Sequence, residues 1–441
     1  MTTGQRLSRR DWLVGSSLMA ATWVSPLRQS IAQPPRSANE VVRFACIGVQ
    51  GMGQTNCQSA AKHGDVVALC DVDESNLDKA AALYPGARKF FDFRKALEGG
   101  TDRFDAVVIS TPNHTHAAIA LMAMRMGKHV YCEKPLSHYL FEARQIAQVA
   151  RTAKVVTQLG NQATAIMTFR RAIERIRQGI IGSVREVHAW TNRPLWPTGA
   201  KLSRATGNPP PGLHWDEWVG PAERTDYLVE CHPFKWRGWW RFGNGSLGDM
   251  GAFILNVPFH ALDLRNPATV DADHTGHDGI SFPESATIRW QFPATPKRGP
   301  VTMFFYDGGR KPDPAILPNP NPNGGCLLVG TEGMLLGNSD YGDKWERIPG
   351  DGRESLNTPP DLLPISGKDH FGDFVDAIRG AGACFSNFED VAGPLTEMIL
   401  VGNLALLKKG TVNWDAGNLR VIGAPELATA IRPTYRAGYE L

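Results

Sequence analysis

Four short stretches hold the residues whose types and spacing could do chemistry: the glycine turn Gly48-Val49-Gln50-Gly51-Met52-Gly53, Asp71 23 residues after Gly48, Thr111-Pro112-Asn113 with His116 close behind, and Glu133-Lys134-Pro135. A glycine turn alone is weak, because glycine also serves wherever the backbone needs positive φ. This one follows a β-rich run, 41–47, and opens a helical stretch. Backbone N–H groups and a helix N-terminus then face one point, which suits a diphosphate; Gly48, Gly51, Met52 and Gly53 are its expected contacts. A carboxylate at the end of the next strand accepts from both hydroxyls of a ribose and repels a 2′-phosphate. Asp71 therefore points to NAD rather than NADP, with a helix cap as its alternative use.

The other two stretches also follow predicted strands. Lys134 can donate from its ammonium to a substrate hydroxyl, and burial at a strand end lowers a lysine toward the acid–base range. Thr111, Pro112, Asn113, His116, Glu133 and Gln162 are expected around the same cofactor, against turn chemistry or local loop bonding. Trp196, Trp236, Trp239 and Trp240 suit a carbohydrate, since flat rings pack on the C–H face of a sugar, although at least half of them are expected in the core. Lys235, Arg237 and Arg241 favour an acidic sugar or form structural ion pairs. The acidic, histidine-containing segment Asp271 to Asp278 reads as a solvated turn, and no metal site is expected.

The elements that must place these groups are legible in outline. Apolar runs at 41–47, 66–70, 105–109, 129–132 and 155–159 alternate with helical stretches, the pattern of a doubly wound parallel sheet. After Asn161 the pattern changes. A basic helix, 169–177, leads into an alternating strand, 184–191, and a long Pro- and Trp-rich loop region, 192–233. A helix over 248–264 and strands within 285–305 and 326–336 without crossovers follow, which predicts a mostly antiparallel sheet. Helices are expected at 370–379 and 394–408, with an irregular tail from Trp414.

The chain of 441 residues is 42% hydrophobic and 21% charged with net charge +3, which leaves no footprint for nucleic acid. No apolar run reads as a membrane span of the mature protein. Ser8-Arg9-Arg10-Asp11-Trp12-Leu13, a weakly apolar stretch to Leu27 and the small residues Ser30-Ile31-Ala32 form a twin-arginine export signal over 1–32, with a leader over 33–40. That predicts a periplasmic or secreted protein, exported folded by the twin-arginine machinery with its cofactor loaded. The seven cysteines have no metal-like spacing, and no disulfide framework is expected.

The glycine turn, the Thr111-Pro112-Asn113 segment and Glu133-Lys134-Pro135, in this order, resemble the Gfo/Idh/MocA oxidoreductases over nearly the whole mature chain. The stretch from His232 to Trp240 and the ending Tyr435 to Leu441 resemble a twin-arginine-exported subgroup similar to glycoside hydrolase family 109. The resemblance implies an N-terminal Rossmann domain, 41–165, and a C-terminal α+β domain with an open, mostly antiparallel sheet, 166–441, meeting at the nicotinamide. It implies that Lys134 assists catalysis, that Glu133 holds the cofactor, and that the open sheet is covered in a dimer or tetramer. It also places a histidine, or in some relatives a tyrosine, at position 253 and an aspartate at 256. Here they are Phe253 and Asn256. Phenylalanine moves no proton and asparagine is no base. His232 is the outside candidate to replace the missing group, and Trp236, Arg237, Asp249, Asn256 and His260 are candidate substrate contacts. Asp249 would otherwise cap its helix. The expected activity is NAD-dependent hydride transfer on a sugar, cyclitol or derivative. The alternatives are a glycosidase that oxidises its sugar transiently, without net cofactor turnover, and a sugar-binding relative with weakened catalysis.

Overall fold

The computed structural model describes residues 41–99, 103–317, 319–348, 356, 363 and 369–441. The export signal over 1–32 and the leader over 33–40 lie outside them.

Short β-rich runs between helical stretches pair in parallel, because each crossover helix carries the chain back to the same end of the sheet. Strands β1 (Val42–Ile47), β2 (Gly64–Cys70), β3 (Arg88–Phe90), β4 (Ala106–Ile109), β5 (His129–Glu133) and β6 (Thr157–Gly160) form one sheet in the order β3-β2-β1-β4-β5-β6. Side chains alternate across it: Val42, Phe44 and Cys46 enter one core cluster, Ala45 and Ile47 the other. Both faces are covered, which is why β1 reads as an apolar run interrupted only by Arg43 near its start. The strand order reverses between β1 and β4, and a crevice opens there at the carboxyl ends of the strands. Helices α1 (Met52–His63) and α4 (Asn113–Arg125) start at that crevice.

The second sheet has nine strands. From one edge they run Trp345–Ile348, Met334–Gly337, Gly324–Gly330, Val184–Thr191, Val301–Tyr306, Ala286–Phe292, Thr269–His274, Val412–Asp415 and Arg420–Val421. Neighbours are antiparallel except Val184–Thr191 with Val301–Tyr306. The expected parallel-plus-antiparallel architecture is therefore present. Its apolar face packs on helices that include Gly393–Leu407. The stretch Phe388–Leu407 is long and apolar enough to cross a bilayer by length and composition, contrary to the sequence reading; 78% of its most apolar window is buried, as befits a core helix.

Three features depart from the sequence reading. The predicted helix over 248–264 is two helices, Gly245–Ile254 and Asn256–Leu262. Pro258 has no N–H to offer the carbonyl of Ile254, and its ring crowds that carbonyl, so the helix breaks at Leu255. Chain assigned to the second domain also returns to the first: Phe371, in helix His370–Ile378, packs edge-on to Phe44 at 5.5 Å, and Tyr439 packs on Phe93 at 6.0 Å. The tail is partly regular, with a strand at Arg420–Val421 and a helical turn at Ala428–Ile431. Trp215 and Trp218 of the long loop region form a small core with Trp236, Trp239 and Phe242 from the segment that follows it.

Candidate functional site

The glycine turn is shaped by close approach. A Cβ at Gly48, where φ is +78°, would sit 2.6 Å from the Ser110 carbonyl oxygen, and one at Gly53 would sit 2.1 Å from the Gly48 oxygen. A Cβ at Gly51, where φ is +60°, would meet nothing within 4 Å, and Gly51 precedes the first residue of α1, Met52, so the turn and the helix N-terminus open onto free space. The Asp71 carboxylate accepts from the Val49 N–H at 2.9 Å and the Asp73 N–H at 3.0 Å. Burial pushes its carboxyl up, and those two bonds pull it back. A cleft of about 580 Å³ runs from this corner past Thr111, Pro112 and Asn113 to Glu133 and Lys134. The cradle, the helix N-terminus and the oriented carboxylate fit a dinucleotide.

Glu133 is buried and fixed from two sides: its Oε1 accepts from Asn56 Nδ2 at 3.0 Å and Gln162 Nε2 at 2.9 Å. Asn56 also donates to Ser110 Oγ at 2.9 Å, which ties α1 to the ends of β4 and β5. Sequence reasoning missed Asn56, although an asparagine one helical turn after the glycine turn, beside Cys57 and ahead of Ala60, was a signal. Gln162 and His116 do not border the cleft, which corrects their assignment as cofactor contacts. Gln162 holds Glu133. His116 is fully buried, with Nδ1 2.8 Å from the Pro135 carbonyl and Nε2 2.7 Å from the Thr111 carbonyl, so it braces two cleft loops against each other.

At the other end, Lys134 Nζ donates to the Asp249 backbone oxygen at 2.6 Å and to Asp249 Oδ1 at 3.0 Å. The same ammonium lies 5.1 Å from the centre of the Phe253 ring, whose face attracts a cation. Arg193 Nε reaches Asp249 Oδ2 at 3.0 Å, and Arg237 Nε lies 3.7 Å from Oδ1. Burial alone would raise the Asp249 carboxyl, but Lys134, Arg237 and Arg193 outweigh it and hold it at about 2. Asp249 lies inside helix Gly245–Ile254, after Asn244 as the cap position, so the capping alternative falls. Arg193 was missed by sequence reasoning, since an arginine before a proline in a loop carries no local signal. Trp196, Trp236 and Arg237 line this end of the cleft, whereas Lys235 and Arg241 pair with Glu230 and Glu223.

Three candidates are not where the sequence reading placed them. His232 borders the cleft, but its Nε2 is 3.2 Å from Asp73 Oδ2, at the end of β2. The ends of β2 and β5 are three strand spacings apart, about 14 Å, so His232 is no substitute beside Lys134. His260 packs against Phe385 at 4.7 Å, away from the cleft, and burial, with arginines 177, 265 and 170 nearby, lowers its imidazole to about 3. Asn256 is wholly buried off the cleft, and its amide meets no partner among the described residues. Both Asn256 and His260 lie in the second of the two helices, beyond the break at Leu255, and neither lines the cleft, which corrects their assignment as substrate contacts. Among the described residues no cluster of three or more metal-ligating side chains occurs.

Residues 42–161 match the model of an oxidoreductase family, Gfo/Idh/MocA, for its NAD-binding Rossmann fold, and residues 180–291 match the same family's C-terminal α/β domain. The chain is 30% identical over 151 residues to a Bacillus subtilis scyllo-inositol 2-dehydrogenase (NADP(+)), covering 34% of this chain and 45% of that one. It is 28% identical over 168 residues to a Rhizobium meliloti inositol 2-dehydrogenase, covering 38% and 50%. The chain thus spans about half the length of these relatives. A levoglucosan dehydrogenase solved with NADH and levoglucosan shares the fold, with TM-score 0.60 at 16% identity over 85% of this chain and 99% of that one.

Proposed function

Because the chain belongs to the Gfo/Idh/MocA oxidoreductase family, whose two domain models together match more than half of it, we propose that it catalyses NAD-dependent hydride transfer on a sugar, cyclitol or related polyol, with Lys134 moving the proton. The observation that carries this reading is the Lys134–Asp249 pair at the Lys134 end of the dinucleotide cleft. The names of its inositol- and levoglucosan-acting relatives support a hydroxylated ring as substrate, and so do the rings of Trp196 and Trp236 on the cleft wall.

NAD, held by the glycine turn and Asp71, supplies the acceptor or donor of hydride. An ammonium has three N–H groups, and two of those on Lys134 are engaged by Asp249. The third is free for a substrate oxygen. In reduction it gives its proton to the carbonyl oxygen; in oxidation the same nitrogen, as the amine, receives the hydroxyl proton. Asp249 takes no proton near neutral pH and acts by aiming Lys134. Phe253 adds an apolar floor under Nζ and no second relay. The test is a single-turnover assay of the purified protein with NAD and a panel of sugars, inositols and aryl glycosides. A change in NADH absorbance supports the reading. Aglycone release without any added NAD would replace it with the transient-oxidation glycosidase.

Two further elements of the proposal concern the whole protein. Export by the twin-arginine route rests on Arg9-Arg10 and the small residues at 30–32, and the seven cysteines, all buried thiols, need no oxidising folding step. A homo-oligomer rests on the face of the nine-stranded sheet where the partly exposed rings of Phe304 and Tyr306 stack in a row with buried His188. Sedimentation at a single subunit mass, 48.3 kDa or the processed equivalent, would remove that element.

A further inference from the structure

We infer that the substrate carries a carboxylate, held by Arg193 and Arg237 beside Lys134; this rests on the oxidoreductase reading of the cleft. Three cations, Lys134, Arg193 and Arg237, converge on one carboxylate, Asp249, at 3.0, 3.0 and 3.7 Å. Asp340 also acts on Arg193 through space, without an ion pair. Among the described residues Asp249 is the one carboxylate ion-paired with these three cations, so two arginines share a single anion that Lys134 also engages. The cations are far from free in solvent: the side chains of Arg193 and Arg237 are 16% and 27% exposed. A charge withdrawn from water in this way is unfavourable until it is paired.

Their remaining donors point to the same ligand. Arg193 uses Nε on Asp249 and Nη1 on Asn192 Oδ1, and Arg237 uses Nη1 on the Phe234 carbonyl at 3.2 Å. Nη2 of each guanidinium has no partner among the described residues. Aiming Asp249 engages only the Nε side of each fork. Arg237 is also held in place, its guanidinium carbon 4.3 Å from the Trp236 ring centre and 4.7 Å from that of Phe234. A second, independent observation is Trp196, which lines the same end of the cleft and whose buried indole N–H has no acceptor among the described residues. Two guanidinium forks and an indole N–H above aromatic walls suit a sugar ring bearing a planar carboxylate. The dinucleotide phosphates do not account for them. The glycine turn lies at the end of β1, two strand spacings, about 10 Å, from the β5 end that carries Lys134.

The experiment uses matched sets in the presence of NAD: glucose, glucuronate and glucose 6-phosphate, and the corresponding galacto series. Binding is read by tryptophan fluorescence and reaction by NADH absorbance. The uronate of at least one set should bind about tenfold or more tighter than its neutral partner and tighter than the phosphate. Arg193→Gln and Arg237→Gln should each erase that preference, with NAD affinity as the check that the variant is folded. Equal or weaker binding of every uronate, including no binding at millimolar concentration, or a preference for the phosphate, overturns the inference. A neutral sugar that reduces NAD without any uronate preference removes this inference and leaves the oxidoreductase reading. Uronate binding that depends on both arginines but yields no NADH does the reverse.

Discussion

Lys134 and Asp249 meet across 115 residues of sequence, joined by two hydrogen bonds, one to the aspartate side chain and one to its backbone. The backbone contact fixes the height of the lysine on helix Gly245–Ile254, and the side-chain contact fixes its direction. One N–H is left over, at the end of a cleft whose far corner is built for a dinucleotide.

Replacing that lysine should separate binding from chemistry. Lys134→Ala is expected to slow single-turnover hydride transfer by about a hundred- to ten-thousand-fold, the usual worth of a positioned acid–base group. Calorimetric NAD affinity should stay within a few-fold of the parent. Unchanged rates would remove Lys134 from the mechanism.

Asp249 gives a signed pH dependence. Its carboxyl is depressed from 3.8 to about 2 in the folded state. A group depressed by folding contributes stability that is complete above the unfolded value, near pH 4, and is lost as pH falls toward 2. The contribution is about 2 kcal/mol. In urea unfolding, the stability gap between parent and Asp249→Asn should therefore be constant from pH 7 to 5 and narrow below pH 4. A gap that widens on acidification contradicts the pairing.

Asp71 should set cofactor choice. In Asp71→Ser the ribose loses its carboxylate and a 2′-phosphate no longer meets a like charge, so NAD affinity should fall about tenfold or more and NADP affinity should rise. Titration of both cofactors by quenching of protein fluorescence decides the point; an unaltered NAD-to-NADP ratio would mean that Asp71 serves only the turn.

His232 belongs with Asp73 at the β2 end of the cleft. His232→Ala is accordingly expected to weaken NAD binding by a few-fold, in line with the loss of one hydrogen bond, and to leave kcat at saturating NAD untouched. A collapse of kcat would restore it to the proton pathway and displace Lys134 as the lone relay.

Export can be read in cells. Changing Arg9 and Arg10 together to lysine should trap an uncleaved precursor in the cytoplasm, detected as a larger species in cell fractions. Normal processing of that variant would show that the paired arginines are not the address.

The legible part of this protein was local. A strand, a glycine turn and a helix form within about twenty residues, and Asp71, Asn113 and Lys134 each follow a strand in a way that steric and hydrogen-bonding rules alone dictate. From these the sequence determined a parallel dinucleotide sheet, its cofactor corner and the place of Lys134. Long-range packing was not legible. Pro258 by itself marks a break in the helical stretch, but no local pattern placed Asn256 and His260 off the cleft, and nothing near His232 foretold its partnership with Asp73. Only the tertiary structure brought Arg193, Arg237 and Asp249 to Lys134, from loops and a helix remote in sequence. Side chains so far apart meet only once both sheets are packed, and their charges, held out of water, then decide what the cleft accepts.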